Sequence, residues 1–304
     1  MRVLVVTNMW PSPAAPSFGV FVAEQVEALR SRGVAVDVLF LGRGPKAYLS
    51  GPAHIAARVL SFRPDVVHAH YGLTGAACAA VPRLRFVVTY HGSDVFLPRQ
   101  RRWSRLASRR AALNICVSNG VRERLGATDA EVVPCGVDIQ HFRPLPREAA
   151  RAQFGLPTDK KVVLFGGAKA NPVKDFGLFE DAVQRSGQDW QVRTLEGIDR
   201  KHVPTLMAAV DALALTSRHE GSPMVVKEAL ACGLPVVAVD VGDVRDWLKD
   251  PAHGYVVERR PEAVARALAS VLAAPRPAGP PAELLPLLDS AAIAARIERL
   301  YEAL

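Results

Sequence analysis

Cysteine is scarce. Four occur in 304 residues, Cys78, Cys116, Cys135 and Cys232, and no two have CxxC spacing. A disulfide framework and a cysteine-held zinc site are both unexpected, and free buried thiols in a reducing compartment are the reading. Long apolar runs are missing too: none approaches the roughly 18 to 20 residues of a membrane-spanning helix. The opening MRVLVVTNMWPSP breaks at Trp10-Pro11, so it reads as a buried first strand and not as a signal peptide. No GxGxxG follows that strand, which disfavours a dinucleotide oxidoreductase. Acidic charge is short in one half only. Residues 1–150 hold 19 Lys/Arg against 10 Asp/Glu, a net +9, whereas residues 151–304 hold 19 against 20, a net −1. A one-sided basic half implies an anionic partner. No helix-turn-helix, RNA-binding or zinc motif accompanies it, so nucleic acid is set aside.

What is present is α/β alternation. The chain is long enough for two domains of about 150 residues. β-Branched runs at 2–7, 34–41, 65–70, 86–90, 113–117 and 131–134 alternate with helical patterns at 18–32, 46–62, 99–112 and 119–125. A second series runs 161–167, 176–186, 190–195, 202–210, 212–216, 224–232, 235–239 and 261–273. Continuous apolar strands between helices imply parallel sheets covered on both faces. The expected organisation is a first domain over 1–142, a linker over 143–158, where prolines replace any strand pattern, and a second domain over 159–289. A last helix, 290–304, is expected to return to the first domain. In such sheets ligands bind beyond the carboxyl ends of the strands.

One stretch, HEGSPMVVKEALACG (219–233), carries chemistry. Ser222 reads as an N-cap and Pro223 as the first helical residue. The amides of Met224, Val225 and Val226 then point out of a helix end that carries partial positive charge and accepts phosphate. Glu228, roughly 6–9 Å further along the axis at about 1.5 Å per residue, stands where a ribose would lie relative to a diphosphate. Glu220, just before the turn, stands at the sugar end.

These residues resemble the donor-site signature of the family-4 retaining glycosyltransferases. Further blocks follow in order: TNMWPSPAAPSFGVFVAEQVEAL (7–29), TYHGSDVF (89–96), VSNGVRERL (117–125), VVPCGVDIQHFRP (132–144) and VGDVRDWL with HGYVV (241–257). The opening block resembles the branch that builds bacterial cell-surface polysaccharides such as teichuronic acid. The resemblance implies a GT-B fold, two facing Rossmann-like doubly wound domains with a cleft between them. It implies sugar transfer with retention from a nucleotide-sugar, by family prior a UDP-sugar, to a glycan, lipid-linked or small-molecule acceptor. It implies that Gly19 lets backbone approach the donor diphosphate, that His91 lies beside the reacting carbon, and that Glu220 holds the sugar hydroxyls. Glu228 would hold the ribose, with Gly221, Ser222, Pro223, Met224 and Val225 around the phosphates. Two departures stand out. The family's Gly-Arg after the first strand of the second domain is Gly166-Gly167-Ala168-Lys169 here, and its later Lys-Gly is Lys174-Asp175. Lys174 matches the clamp, and Lys169 is the candidate replacement for the arginine, as a point charge and not a planar fork. The asparagine of the family's P-N-G-V-D is Cys135.

No DxD-type motif and no glycosidase-like carboxylate pair is evident, so a metal-independent reaction without a cofactor is expected. The run RQRRWSRLASRR (99–110), with Arg99, Arg101, Arg102, Arg105 and Arg109 beside Trp103, reads as a basic surface helix for anionic headgroups or a lipid-diphosphate acceptor. A cytoplasmic protein, peripheral on the inner membrane face, is the expectation. Two alternatives remain open: a non-catalytic nucleotide-sugar or glycan-binding subunit of the same fold, and a GT-B-fold epimerase or phosphorylase.

Overall fold

The computed structural model describes residues 1–42 and 44–304, divided into two compact units, Met1–Gly136 with Ser290–Leu304, and Val137–Asp289. In the first unit the order is β1 (Arg2–Thr7), α1 (Val20–Ser31), β2 (Ala35–Phe40), α2 (Pro45–Phe62), β3 (Val66–His70), α3 (Gly72–Ala79), β4 (Phe86–Tyr90), α4 (Ser93–Phe96), α5 (Pro98–Ser108), β5 (Leu113–Cys116), α6 (Asn119–Leu125) and β6 (Glu131–Val132). The strands form one parallel sheet in the order β2-β1-β3-β4-β5-β6. The β-branched centre of this sheet is dry: Val3, Val5, Val87 and Val88 are fully buried. Burying such side chains on both faces is what favours a parallel sheet.

The second unit contains α7 (Arg147–Gln153), β7 (Val162–Phe165), α8 (Phe176–Ser186), β8 (Gln191–Thr194), a single 3-10 turn (Arg200–His202), α9 (Val203–Ala209), β9 (Ala212–Leu215), α10 (Met224–Ala231), β10 (Val236–Val239), α11 (Val244–Trp247), β11 (Gly254–Val257), α12 (Pro261–Ala273) and α13 (Leu285–Leu288). Its sheet is parallel in the order β11-β10-β9-β7-β8. The closing helix, α14 (Ser290–Glu302), belongs to the first unit and packs on α1 there, burying Ile293, Ile297 and Tyr301.

The segment 143–158 is not a linker. The chain passes between units at Gly136 and Val137, and again at Asp289 and Ser290. Residues 147–153 form α7, whose Ala150 joins Phe142 and Leu156 in the core of the second unit, against Leu206 and Met207. Asp211 ties the segment down. It accepts from Arg147, from Arg151 at 2.6 Å and from the Val162 amide at 2.7 Å. Prolines flank this helix instead of preventing it, because proline is tolerated before and at a first turn.

In both sheets the strand order reverses once, between β1 and β3 and between β7 and β9. The carboxyl ends at these reversals are the places where doubly wound sheets expose a crevice.

Candidate active site

At the second unit's reversal, β7 runs into Gly166-Gly167 and β9 into the loop that carries Glu220. Lys174 crosses between them and donates to Glu220 Oε1 at 2.7 Å. Gly167 makes this possible: a Cβ there would meet Lys174 Cγ at 2.5 Å, well inside contact distance. The residue after the lysine, Asp175, has φ 52° and ψ 64°, the left-handed region. Glycine enters that region freely and aspartate at modest cost. Here Arg259 and Arg218, the latter at 3.3 Å, pair with the Asp175 carboxylate and hold the turn. Lys169 goes elsewhere. It is exposed, its ammonium lies 4.7 Å from the Phe176 ring centroid, and its amide donates to Glu196 Oε1 at 2.8 Å.

Ser222 does not cap α10. Pro223, with extended backbone (φ −70°, ψ 109°), occupies the N-cap position and the helix begins at Met224. The Ser222 hydroxyl donates to Asp243 Oδ2 at 2.6 Å and accepts from Lys227 Nζ at 2.9 Å. Lys227 is fully buried, with its ammonium 5.6 Å from the Trp247 ring centroid. Burial pushes the Asp243 carboxyl above its ordinary range, while Lys227 and the Ser222 hydroxyl pull it back. The serine was expected as a cap because sequence shows only its place before a helix. Its real partner lies 21 residues on in the chain. The Val226 amide bonds Pro223 O at 3.2 Å, so two of the three expected amides, Met224 and Val225, have no intrahelical acceptor. Gly221 and Val225 are buried and Met224 half-buried around this end.

Glu228, 3% exposed, pairs with Arg200 at 2.7 Å. The Arg200 guanidinium also lies 4.6 Å from the Phe142 ring centroid. Sequence reasoning missed Arg200, since it sits in an irregular turn 28 positions from its partner. The only sequence signal was a cation following Asp199, whose side chain accepts the Lys201 amide and starts that turn.

At the first unit's carboxyl edge, Gly19 (φ 73°) starts α1 with its α-carbon against the Met9–Trp10 backbone, where a Cβ would lie 2.3 Å from Met9 C. His91 follows β4. Its amide donates to Asp94 Oδ1 at 3.1 Å, and the same carboxylate accepts from Gly92 at 2.8 Å and Gly72 at 3.0 Å. Burial raises the Asp94 carboxyl to about 6 despite these backbone donors. The His91 ring meets His70 Nδ1 at 3.1 Å, Cys135 Sγ at 3.8 Å and the Phe21 ring at a centroid distance of 4.8 Å. His70, Asp94 and Cys135 thus join the site. The H-A-H and H-G-S-D strings marked strand ends without revealing which side chains meet. On α5, Arg99, Arg102, Arg105 and Arg109 are exposed and Arg101 is half-buried, with Leu97, Trp103 and Leu106 exposed among them. The expected helix over 99–112 ends at Ser108.

Two family models match the chain. Residues 3–141 match Glycosyltransferase Family 4 and residues 174–280 match Glycosyl transferases group 1. The class is therefore a glycosyltransferase of GT-B fold, transferring a sugar from a nucleotide-sugar to an acceptor. The chain belongs to the glycosyltransferases that these two models describe. It is similar to TuaC of Bacillus subtilis, a glycosyltransferase named for teichuronic acid biosynthesis, at 25% identity over 88% of each chain. Among solved structures it is similar in fold to sucrose-phosphate synthase from Thermosynechococcus elongatus, with a TM-score of 0.84 at 18% identity over 100% of this chain and 99% of the other. Anabaena HepE in complex with UDP-glucose gives 0.78, also at 18% identity, over 100% of both chains. Among the described residues no helix is long and apolar enough to cross a membrane.

Proposed function

We propose that this glycosyltransferase uses a UDP-sugar, transfers with retention and needs no metal ion. The observation that carries the reading is the set at the second unit's strand reversal: Lys174 paired to Glu220 across Gly167, the open amides of Met224 and Val225, and Glu228 one turn further along α10. A diphosphate lies against the amides and Lys174, the ribose hydroxyls bond Glu228, and Glu220 takes the sugar hydroxyls. The acceptor oxygen attacks the anomeric carbon on the face that the phosphate leaves. Its proton passes to a phosphate oxygen as the carbon–oxygen bond breaks, releasing the nucleoside diphosphate. Fixed positive charge from Lys174 and the helix amides stabilises that leaving group. UDP among the ligands of Anabaena HepE supports the choice of base.

The first unit supplies the acceptor site, with His91 serving the reacting end. Its basic α5, where the Arg102 guanidinium lies 5.2 Å from the Trp103 ring centroid, suits an anionic headgroup or a lipid-diphosphate acceptor at a membrane surface. A thermal-shift screen against UDP-, GDP- and ADP-sugars tests the donor, with stabilisation expected for the UDP series. Product analysis tests the rest: an inverted anomer or activity abolished by EDTA would overturn the mechanism. Donor binding without any transfer or hydrolysis would favour a non-catalytic subunit.

A further inference from the structure

The first unit holds a column of histidines that the sugar-transfer reading leaves without a role. His68 and His70, both on β3, are fully buried, and their rings stack at a centroid distance of 4.3 Å. His68 is held between the Tyr301 hydroxyl of α14 and Thr89 Oγ1, the latter at 2.8 Å. His70 reaches sideways to His91: their rings are 21° from coplanar with centroids 5.3 Å apart, and the facing nitrogens are 3.1 Å apart. That is an edge-to-edge hydrogen bond and not a face-to-face contact.

The partners decide the protons. Burial brings the His70 imidazole down to about 3, so the ring is neutral and has one donor and one acceptor. His70 Nε2 faces Gln25 Nε2 at 3.5 Å, and an amide nitrogen only donates. With the Gln25 amide in this orientation, the His70 proton is assigned to Nδ1, aimed at His91 Nε2. His91 must accept there and carry its own proton on Nδ1, facing Cys135 Sγ.

We propose that His70 is a positioning residue for sugar transfer, whose Nδ1–H fixes the tautomer and ring plane of His91. Asp94 holds the His91 main chain and His70 holds its ring. The inference rests on the reading that His91 serves the reacting end of the donor.

Packing and positioning make opposite demands at residue 70. Phenylalanine keeps a stacked ring and loses the donor. Asparagine loses the ring and keeps an amide N–H near the Nδ1 position. The test is 15N-histidine NMR of the full chain, with UDP release from UDP-glucose followed in parallel, for His70→Phe, His70→Asn and His91→Ala. The expected result is an Nδ1-protonated His91 in the wild type and in His70→Asn, and its loss in His70→Phe. Turnover should fall at least tenfold in His70→Phe with KM within about twofold, and stay within about threefold in His70→Asn. If His70→Phe does not fold, His70→Gln replaces it, because its amide reaches the Nε2 position instead. An unchanged His91 tautomer in the Phe or Gln variant overturns the proposal. Wild-type turnover in His91→Ala would instead sink the role of His91, while the NMR result still decides whether His70 sets its tautomer.

Discussion

The two units hold their candidate site side chains by opposite means. In the first, His91 is fixed by neutral or buried partners: His70, Cys135 and a carboxylate that bonds backbone amides. In the second, both acids of the donor signature are already matched by cations, Glu220 by Lys174 and Glu228 by Arg200. The first arrangement is preset and depends on burial. The second pairs its acids with cations of its own, which on the proposed reading a nucleotide-sugar must rearrange. The first should therefore respond to pH, and the second to charge removal.

The largest expected effect is acid destabilisation of the first unit. His68 and His70 have imidazoles held well below their ordinary value by burial, and for His68 also by the neighbouring histidines. As pH falls below about 6.5 the unfolded chain takes up protons there and the folded chain does not, so stability is lost. For His70, down to about 3, the full loss is on the order of 5 kcal/mol. Asp94 acts with the opposite sign. Its raised carboxyl favours the folded state at low pH, and that contribution is lost as pH rises through about 6. Two histidines oppose one aspartate, so melting temperature should fall on acidification from pH 6.5 to 4. His70→Asn should flatten the slope. An unchanged slope in that variant would show that the column does not control acid stability.

Next comes Lys174→Ala, which removes the cation at the second unit's strand reversal. Turnover should drop by two or more orders of magnitude, as when a stabiliser of developing charge is lost. Wild-type turnover would refute the clamp. Glu228→Ala should weaken UDP binding about tenfold or more in calorimetry while leaving sugar choice unaltered. Arg200→Ala should weaken it less, since the guanidinium is the displaced partner. Equal losses in the two variants would mean that the ion pair, and not Glu228 itself, meets the nucleotide.

Much of the architecture was legible because period is local. Strands such as RVLVVT and KVVLF announce themselves as continuous apolar runs, and the structure places β1 and β7 there. The segment 143–158 misled because its buried apolar anchors, Ala150 and Leu156, are only two and make no helical or strand pattern with Phe142 just before them. Motif marked Lys174 and Glu220 as candidates, and the structure pairs them, but motif marked none of Arg200, Asp243 and His70. Each acts through a partner 21 or more positions away, and no local pattern records such a pairing.

The smallest effect sharpens the account of the Gly-Ser-Pro turn. A capping serine acts on its own helix, and its loss costs about 1 kcal/mol independently of distant residues. Here Ser222 links buried Lys227 to buried Asp243, so Ser222→Ala leaves each short of one partner, a cost of about 1–2 kcal/mol. The sizes overlap, and the difference lies in additivity. Removing the serine from a protein that already carries Asp243→Asn should cost less than removing it from the wild type, with a coupling of about 1 kcal/mol in denaturant melts. Strict additivity would return Ser222 to the role of a cap. Coupling would mean that the open helix amides are presented by a turn braced from Asp243, the residue that leads into α11, and not by the helix alone.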